Sequence, residues 1–245
     1  EIVRTIPLTG KQLDLYETLR VALDQQLQAE IARRGLANSQ IAVLDALLKL
    51  RQVCCDPQLV HVEAAKGVQE SAKRDLLMEL LPELIDEGHS VLLFSQFTSM
   101  LKIIETDLQN RNINYVKLTG QTKDRDTPVE QFQNGDVKVF LISLKAGGVG
   151  LNLTRADAVI HYDPWWNPAA EAQATDRAHR IGQTRPVMVY KLLTENTIED
   201  RIQALQERKR ALYDAVLSDG AASDTKLAAT DIGELFKPIS PKLAL

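Results

Sequence analysis

Between residues 89 and 217 the sequence alternates between short apolar runs and segments with helical periodicity, and this pattern constrains the fold most. The apolar runs have the length of strands, and helical segments separate them. Short buried strands joined by helices are typical of parallel β-α-β units, in which helices cover both faces of the sheet. We therefore predict an α/β fold with a mostly parallel sheet. The predicted strands are 91–95, 115–118, 137–143, 158–162 and 187–193, and the predicted helices are 98–110, 128–133, 169–179 and 198–217.

Ligands of parallel sheets bind beyond the carboxyl ends of the strands, where the loops to the next helices begin. In this chain those loops follow Ser95, Leu118, Ser143 and Tyr162. Parallel strands place the four loops at one edge of the sheet, which we call the rim. The sequence therefore predicts that a binding or catalytic site lies at the rim.

The residues on either side of this region have a different pattern. A strand at 2–8 precedes a helix at about 11–34, and a second helix with apolar residues at Ile41, Leu44, Leu48 and Val53 ends at Asp56. A third helix follows and ends at Gly88. The tail is rich in Ala, Ser, Asp and Thr, which is typical of a linker or strap rather than a core. We predict three segments: a strand and helical protrusion with a linker at 1–70, an α/β lobe at 71–218, and a tail at 219–245.

Charge and composition exclude several classes of protein. The chain has 29 basic and 33 acidic residues and a net charge of -4, so bulk positive charge does not bind it to nucleic acid. No apolar run reaches the ~18 residues of a membrane span. The adjacent Cys54 and Cys55 exclude a disulfide framework and indicate a reducing compartment. Because the chain begins with Glu1 rather than methionine, we expect it to be cut from a longer protein.

The segment from Gln173 to Gln183 carries the strongest chemical signal. Gln173, Arg177 and Arg180 are spaced by four and three residues on a predicted helix and its exit, so the three side chains are expected to share one face. Two guanidinium groups on one face repel each other unless an anion lies between them, and the rigid fork of arginine suits phosphate oxygens. The alternative is a solvated helix face on which Glu171 and Asp176 are the ionic partners.

The glycine-rich segment 143–153 follows a predicted buried strand. Glycines let the backbone approach a ligand closely, and consecutive amides can point at phosphate oxygens. Lys145 adds a positive charge at the same place. The alternative is a tight turn without a ligand. The segment matches neither the dinucleotide fingerprint nor the P-loop, so we expect the chain to have no Walker A loop of its own.

Both tryptophans, Trp165 and Trp166, lie in one proline-bounded turn. We expect at least one of them to be exposed at the rim, where tryptophan usually contacts a partner or a second domain. Asp163 could end a metal-binding strand, but no second acid follows it, and we interpret it as a turn residue. His161 and His179 have no ligand partners at metal-binding spacing, and we interpret both as structural.

Taken together, these segments resemble the second RecA-like lobe of the SWI/SNF-type ATPases, the double-stranded DNA translocases of helicase superfamily two. The resemblance nearly spans the chain, and its motifs occur in the family's order. Asp56 replaces the histidine that usually precedes the family's proline, and Lys145 stands where arginine is common. The matching segments are 50–57, 71–73, motif four at 91–97, the segment 120–132, motif five at 143–153 with its extension at 163–168, and motif six at 173–183.

The resemblance implies a three-layer α/β/α RecA-like lobe with a mostly parallel sheet, an N-terminal helical insertion, and a C-terminal helix and tail. It also implies that Arg177 and Arg180 are arginine fingers that stabilise charge on the γ-phosphoryl group of ATP. Trp165 and Trp166 would couple the nucleotide state to closure of two lobes.

The resemblance implies two further sets of contacts. Gln173, Gly148 and Gly150 would lie at the nucleotide. The backbone of double-stranded DNA would be held through contacts that do not depend on sequence. The residues implied for these contacts are Ser95, Gln96, Gly120, Thr122, Lys145 and Gly147.

We therefore expect the C-terminal half of a DNA-dependent ATPase. ATP and Mg²⁺ would be held mainly by an N-terminal RecA-like lobe that the 245 residues do not contain, so the isolated chain would be inactive. Expected partners are double-stranded DNA, that lobe and a DNA-bound protein, with no membrane. Expected locations are the bacterial cytoplasm at the nucleoid, or the nucleus of a eukaryote. The alternatives are an RNA helicase lobe and a non-catalytic interaction domain of the same fold.

Overall fold

The computed structural model describes residues 1–147, 150–165, 167–179, 183–217 and 228–239. The strands are β1 (Ile2–Ile6), β2 (Val91–Ser95), β3 (Tyr115–Leu118), β4 (Val139–Ser143), β5 (Ala158–His161) and β6 (Met188–Thr194). The helices are α1 (Gly10–Arg34), α2 (Gln40–Cys55), α3 (Ala72–Asp86), α4 (Thr98–Asn110), α5 (Asp126–Asn134), α6 (Leu144–Gly147), α7 (Pro168–Thr175), α8 (Ile198–Leu217) and α9 (Ala229–Leu235).

Within the described residues the strands form one six-stranded sheet in the order β1-β6-β5-β2-β4-β3. β2 is central and pairs in parallel with β4 and β5, while β3 and β6 extend the parallel sheet on either side. The predicted α/β fold with a mostly parallel sheet is confirmed. The carboxyl ends of these five strands lie at one edge, so the rim exists as the sequence predicted.

Burial on both faces explains why the strands are continuous apolar runs. Every residue of β2, β4 and β5 is buried. On one face Leu92 and Phe94 pack with Phe140, Ile142 and other buried side chains. A strand buried on both faces has no polar alternation, and the sequence therefore shows uninterrupted apolar residues.

The chain divides into two compact units, each discontinuous in sequence. One unit, which we call the sheet unit, comprises 1–6 and 72–193. The other, the helical unit, comprises 7–71 and the described part of 194–245. The segments predicted from sequence, 1–70, 71–218 and 219–245, follow chain order, whereas the structure groups β1 with the sheet and α8 with the N-terminal helices.

The helical unit is held together by buried polar contacts as well as apolar packing. The hydroxyl oxygen of the buried Tyr16, on α1, accepts a hydrogen bond from the Ile198 amide at 2.8 Å. Arg20 donates to the carbonyl oxygen of Phe236 at 2.9 Å. In the tail, Ile232, Leu235 and Phe236 are buried in and beside α9, so this part of the tail is packed rather than exposed.

The orientation of α2 differs from what its apolar stripe suggests. Three residues of that stripe, Ile41, Leu44 and Leu48, are exposed, with Ile41 at 84%, whereas the fourth, Val53, is buried. The buried face of α2 instead carries Val43, Leu47, Leu50 and other side chains. α2 is apolar on two faces, and an apolar stripe identifies a helix without showing which of two such faces meets the core.

None of the helices in the described ranges combines the length and the apolar composition that crossing a bilayer requires.

Candidate functional site

At the end of β2, two side chains join the first rim loop to the loop after β5. Ser95 is fully buried, and its hydroxyl donates to Oδ1 of Asp163 at 2.5 Å. The Gln96 amide donates to Oδ2 of the same carboxylate at 3.1 Å. The Phe97 amide donates to the Ser95 hydroxyl oxygen at 3.1 Å. Asp163 is therefore more than a turn residue, because its carboxylate joins two loops that are far apart in sequence.

This geometry corrects one expectation about DNA contacts. Ser95 was expected to touch the DNA backbone, but its hydroxyl lies inside the protein and is used by Asp163. While it donates to Asp163, the Ser95 hydroxyl is not available as a donor to a phosphate. The structure gives Ser95 the geometry of a residue that positions its neighbours.

Unpaired polar atoms and a positive charge lie near the ends of β2 and β4. Ser143 pairs in register with Ser95, so the two strands end side by side. Among the described residues, Nε2 of Gln96 and Oγ of Ser143 have no hydrogen-bond partner although both atoms are buried. Lys145, two residues after Ser143, is exposed and forms no ion pair among the described residues. Unpaired buried donors are uncommon and need an explanation, which a ligand at the rim would supply.

Ser143 was not identified as a site residue from the sequence. Its position at the end of a predicted strand, directly before the glycine-rich segment, was the signal available. A lone serine at the end of a strand is uninformative until the neighbouring strand is known.

The loop after β3 is an exposed turn. The Thr122 amide donates to the Thr119 carbonyl at 3.1 Å, and the Thr119 amide donates to the Thr122 hydroxyl oxygen at 2.9 Å. Gly120 between them is exposed, and a Cβ added there would meet nothing within 4 Å. The protein's own packing gives no reason for glycine at 120, and the space beside its backbone is open.

A hydrogen bond from a side chain to the backbone joins this region to α6. Arg125 donates through Nη2 to the carbonyl oxygen of Ala146 at 2.9 Å. Ala146 follows Lys145, so Arg125 fixes the short helix that carries the lysine. Gly147 ends α6, and Gly150 is exposed with a positive φ of 35°. Gly148, which was expected at the nucleotide, lies outside the described residues.

The arrangement of motif six differs from the sequence prediction. α7 ends at Thr175, four residues earlier than predicted, and the chain turns there. Gln173 is exposed, whereas Arg177 is only 7% exposed, so the two side chains do not share a solvent face. The expectation that Gln173 and Arg177 share one face is therefore wrong for this structure, because the helix ends at Thr175 and Arg177 is buried in the turn that follows. Arg180 lies outside the described residues.

Gln183 connects motif six to the loop that follows motif five, a role that the sequence did not reveal. Its side-chain amide donates to the carbonyl oxygens of Thr154, Ala156 and Ala178 at 3.0, 2.7 and 3.2 Å. The Leu153 amide also donates to the Arg177 carbonyl at 3.0 Å. The loop before β5 and the turn after α7 are therefore fixed to each other. A loop glutamine carries no sequence signal for three backbone acceptors that come from other loops.

Trp165 is half-buried and packs against the core cluster of the sheet. Its backbone amide donates to Oε1 of the buried Glu171 at 2.9 Å. Lys191 Nζ lies 3.4 Å from Glu171 and 2.8 Å from Glu1. Burial acts to lower the pKa of Lys191, but the hydrogen bond to Glu1 and the charge of Glu171 outweigh it and raise that pKa above its usual value. Trp166 lies outside the described residues.

His161 has the contacts of a structural residue, as interpreted from the sequence. It is buried, stacks on Phe94 with ring centroids 5.6 Å apart, and lies with Nε2 3.0 Å from the Thr175 hydroxyl. Burial, together with the positive charge of Lys191, lowers its pKa to about 4, so the ring is neutral at pH 7. Within the described ranges no group of three His, Cys, Asp or Glu side chains could hold a metal ion.

The sequence is similar to known proteins over most of its length. The family model of the helicase conserved C-terminal domain matches residues 72–182. The putative ATP-dependent helicase/translocase YwqA of Bacillus subtilis is 36% identical over 236 residues, which cover 94% of this chain and 25% of that protein. The chromatin-remodeling ATPase INO80 of Emericella nidulans is 49% identical over 190 residues, covering 75% of this chain and 12% of that protein. The chain thus spans a quarter or less of these relatives.

Solved structures match the fold closely. The C-terminal domain of the Sulfolobus solfataricus SWI2/SNF2 ATPase gives a TM-score of 0.73 at 31% identity, with 97% of this chain and 98% of that chain covered. The SWI2/SNF2 ATPase core of the same organism, in complex with dsDNA, gives a TM-score of 0.75 at 34% identity, with 96% and 49% covered. The predicted RecA-like architecture is therefore confirmed.

Proposed function

Because the chain belongs to the SWI/SNF-type ATPases of helicase superfamily two, whose C-terminal RecA-like lobe it forms, we propose that it contacts the backbone of double-stranded DNA and supplies arginine fingers to ATP. Its relatives are named ATP-dependent helicases, translocases and chromatin-remodeling ATPases, so ATP use is a property of the family. The activity, the substrate and the partners of the whole protein are proposals for this chain.

The charge and the donors at the rim carry the DNA proposal. Lys145 is a cation without an ion pair among the described residues. It follows Ser143 by two residues, and Ser143 ends its strand next to Ser95, which precedes Gln96. The chain has a net charge of -4, so attraction to a polyanion has to be local. Lys145 is the local charge, and the open space beside Gly120 lets a phosphate approach the backbone of the β3 loop. Thr122 and Gly147 are proposed to contribute to the same contact, with Asp163 holding Ser95 and Gln96 in place.

Arg180 is the proposed arginine finger. Arginine fingers stabilise charge on the transferred phosphoryl group and raise kcat by about 10³–10⁵. Arg177 is buried in this chain, so a finger role for it requires its side chain to turn outward when nucleotide and the N-terminal lobe are present. Gln173, which is exposed on α7, and Gly148 and Gly150 are proposed to lie at the nucleotide.

Most of the nucleotide site is proposed to lie on an N-terminal lobe. ATP brings the γ-phosphoryl group whose transfer to water is the family's reaction. The described residues have no three-acid group that would suit Mg²⁺, and the sequence has no P-loop, so both are assigned to that lobe. We therefore expect the isolated chain not to hydrolyse ATP. Trp165 and Trp166 are proposed to couple the nucleotide state to closure of the two lobes. The Trp165 amide is fixed by Glu171.

The alternatives remain an RNA helicase lobe and a non-catalytic interaction domain. A solved relative is an ATPase core in complex with dsDNA, which favours duplex DNA as the partner. With that partner, the protein is proposed to act on a DNA-bound protein, at the nucleoid in a bacterium or in the nucleus of a eukaryote.

The test uses the full-length protein with both lobes and two substitutions that should affect different steps. Arg180→Ala should abolish ATP hydrolysis and leave duplex DNA binding within about twofold, since a finger acts on the transition state. Lys145→Ala should weaken DNA binding and reduce the salt slope of log K by about one, since one phosphate contact is lost. Lys138→Ala, at the opposite end of β4, is the matched control and should change neither.

Three results would contradict the proposal. Stimulation of ATP hydrolysis by duplex RNA but not by duplex DNA would support the RNA helicase lobe. Normal ATP hydrolysis by the Arg180→Ala protein would support the interaction domain. Measurable DNA-stimulated hydrolysis by the isolated chain would refute the assignment of the phosphate and metal site to another lobe.

A further inference from the structure

We propose that Asp163 is a positioning residue that couples the DNA-contacting end of β2 to the tryptophan turn. This inference rests on the proposed function, because it assigns a role in transmitting DNA binding to ATP hydrolysis. Asp163 is one of the least exposed acids of the sheet unit, with 1% of its surface accessible.

The carboxylate fixes the whole start of the loop after β2. Its two oxygens accept from the Ser95 hydroxyl and the Gln96 amide, and the Ser95 oxygen in turn accepts from the Phe97 amide. Asp163 thus holds Ser95 and Gln96 directly, and Ser95 in turn holds Phe97. Hydrogen bonds to an ionised carboxylate inside a protein are short and about twice as strong as neutral ones. Asp163 therefore holds the backbone of Gln96, whose side chain is proposed to contact DNA.

The same residue lies two positions before Trp165. On its N-terminal side, the Tyr162 amide donates to the Phe94 carbonyl at 3.0 Å, and the Tyr162 carbonyl accepts from Nζ of the fully buried Lys73 at 3.0 Å. On its C-terminal side, the Trp165 amide is held by Glu171. The segment between these anchors is short, so a displacement of the carboxylate moves both the β2 loop and the tryptophan turn.

Apolar packing would hold two loops together without the desolvation cost of a buried carboxylate. A carboxylate with two directional hydrogen bonds instead permits few relative positions of the loops, which suits a contact that transmits a change of position. A shift of about 1 Å in a catalytic arrangement can cost about a hundredfold in rate. Loss of the Asp163 contact is therefore expected to lower the effect of DNA on kcat more than it lowers DNA affinity.

The experiment measures the stimulation ratio, which is kcat at saturating duplex DNA divided by kcat without DNA, in the full-length protein. Asp163→Asn and Ser95→Ala are each expected to lower this ratio by about tenfold or more. The double substitution should be no worse than the more severe single one, since both remove the same connection. Ser90→Ala, which removes a hydroxyl from a buried residue directly before β2, is the matched control and should keep the wild-type ratio.

A role in stability alone gives a different result. In that case the two values of kcat fall together, and an unchanged stimulation ratio overturns the proposal whatever the loss of total activity. If Asp163→Asn does not fold, as judged by circular dichroism, Ser95→Ala decides by the same criterion. A wild-type protein that duplex DNA does not stimulate would refute the proposed function itself, which is a separate outcome from an unchanged ratio in the variants.

Discussion

Substitution by alanine of two glycines, Gly120 in the loop after β3 and Gly135 at the end of α5, should give opposite changes in stability. Gly120 has open space around its Cα, and its φ is not in the left-handed region. Gly135 ends α5 in the left-handed conformation, with φ 91° and ψ 15°. The guanidinium of Arg155 lies where a Cβ on residue 135 would be placed.

The expected magnitudes follow from these geometries. Alanine at 120 fits the folded chain and restricts the unfolded one, so Gly120→Ala should raise the free energy of unfolding by about 0.4–1 kcal/mol. Alanine at 135 is forced into the left-handed region, which costs about 1–2 kcal/mol. The Arg155 side chain is exposed and can move aside, so the steric part adds little. The free energies of unfolding of the two variants should thus differ by about 2 kcal/mol.

The Gly120→Ala substitution also tests the DNA proposal. A methyl group at 120 would occupy the space that a phosphate is proposed to enter, and loss of one hydrogen bond of roughly 1 kcal/mol weakens DNA binding about fivefold. Stability is measured by urea denaturation of this chain, and DNA affinity by a titration of the full-length protein at fixed salt. Destabilisation by Gly120→Ala beyond about 1 kcal/mol would refute the reasoning about open space. Unchanged DNA affinity in a stable Gly120→Ala protein would remove Gly120 from the DNA contact.

Two further predictions concern pH and packing. The pKa of His161 is about 4 in the folded protein and near 6.5 in the unfolded chain, so the unfolded chain binds more protons between these two pH values. The free energy of unfolding should therefore decrease as the pH falls from 6.5 to 4, by about 3 kcal/mol from this group. Urea denaturation across this window should show a shallower dependence in His161→Gln, and an imidazole that titrates near pH 6.5 by NMR would contradict the assignment. On α2, Leu47→Ala should lower the free energy of unfolding by about 2–5 kcal/mol because Leu47 is 2% exposed, whereas Ile41→Ala should change it by no more than about 0.5 kcal/mol. Equal losses for the two variants in urea denaturation would show that the buried face of α2 is assigned wrongly.

The order of elements and the family were readable from the sequence because both depend on local patterns. β2, β3 and α4 begin and end at the predicted residues. Their apolar runs and helical periodicity are set by the neighbours along the chain. Burial on both faces also makes β2 a nearly continuous apolar run, which is easy to recognise. The motif residues were likewise visible as types and spacings, which identified the rim before its geometry was known.

What the residues touch was decided only by the tertiary structure. Ser95 and Asp163 are separated by 68 positions, and no local pattern shows that a strand-end hydroxyl meets that carboxylate. Spacing placed Arg177 on an exposed helix face, but α7 ends at Thr175 and the next turn buries the side chain. On α2 the sequence offers two apolar faces, and packing against other helices selected one. The physical reason is the same in each case, because a side chain's environment is built from segments distant in sequence, whereas periodicity and propensity report only on adjacent residues.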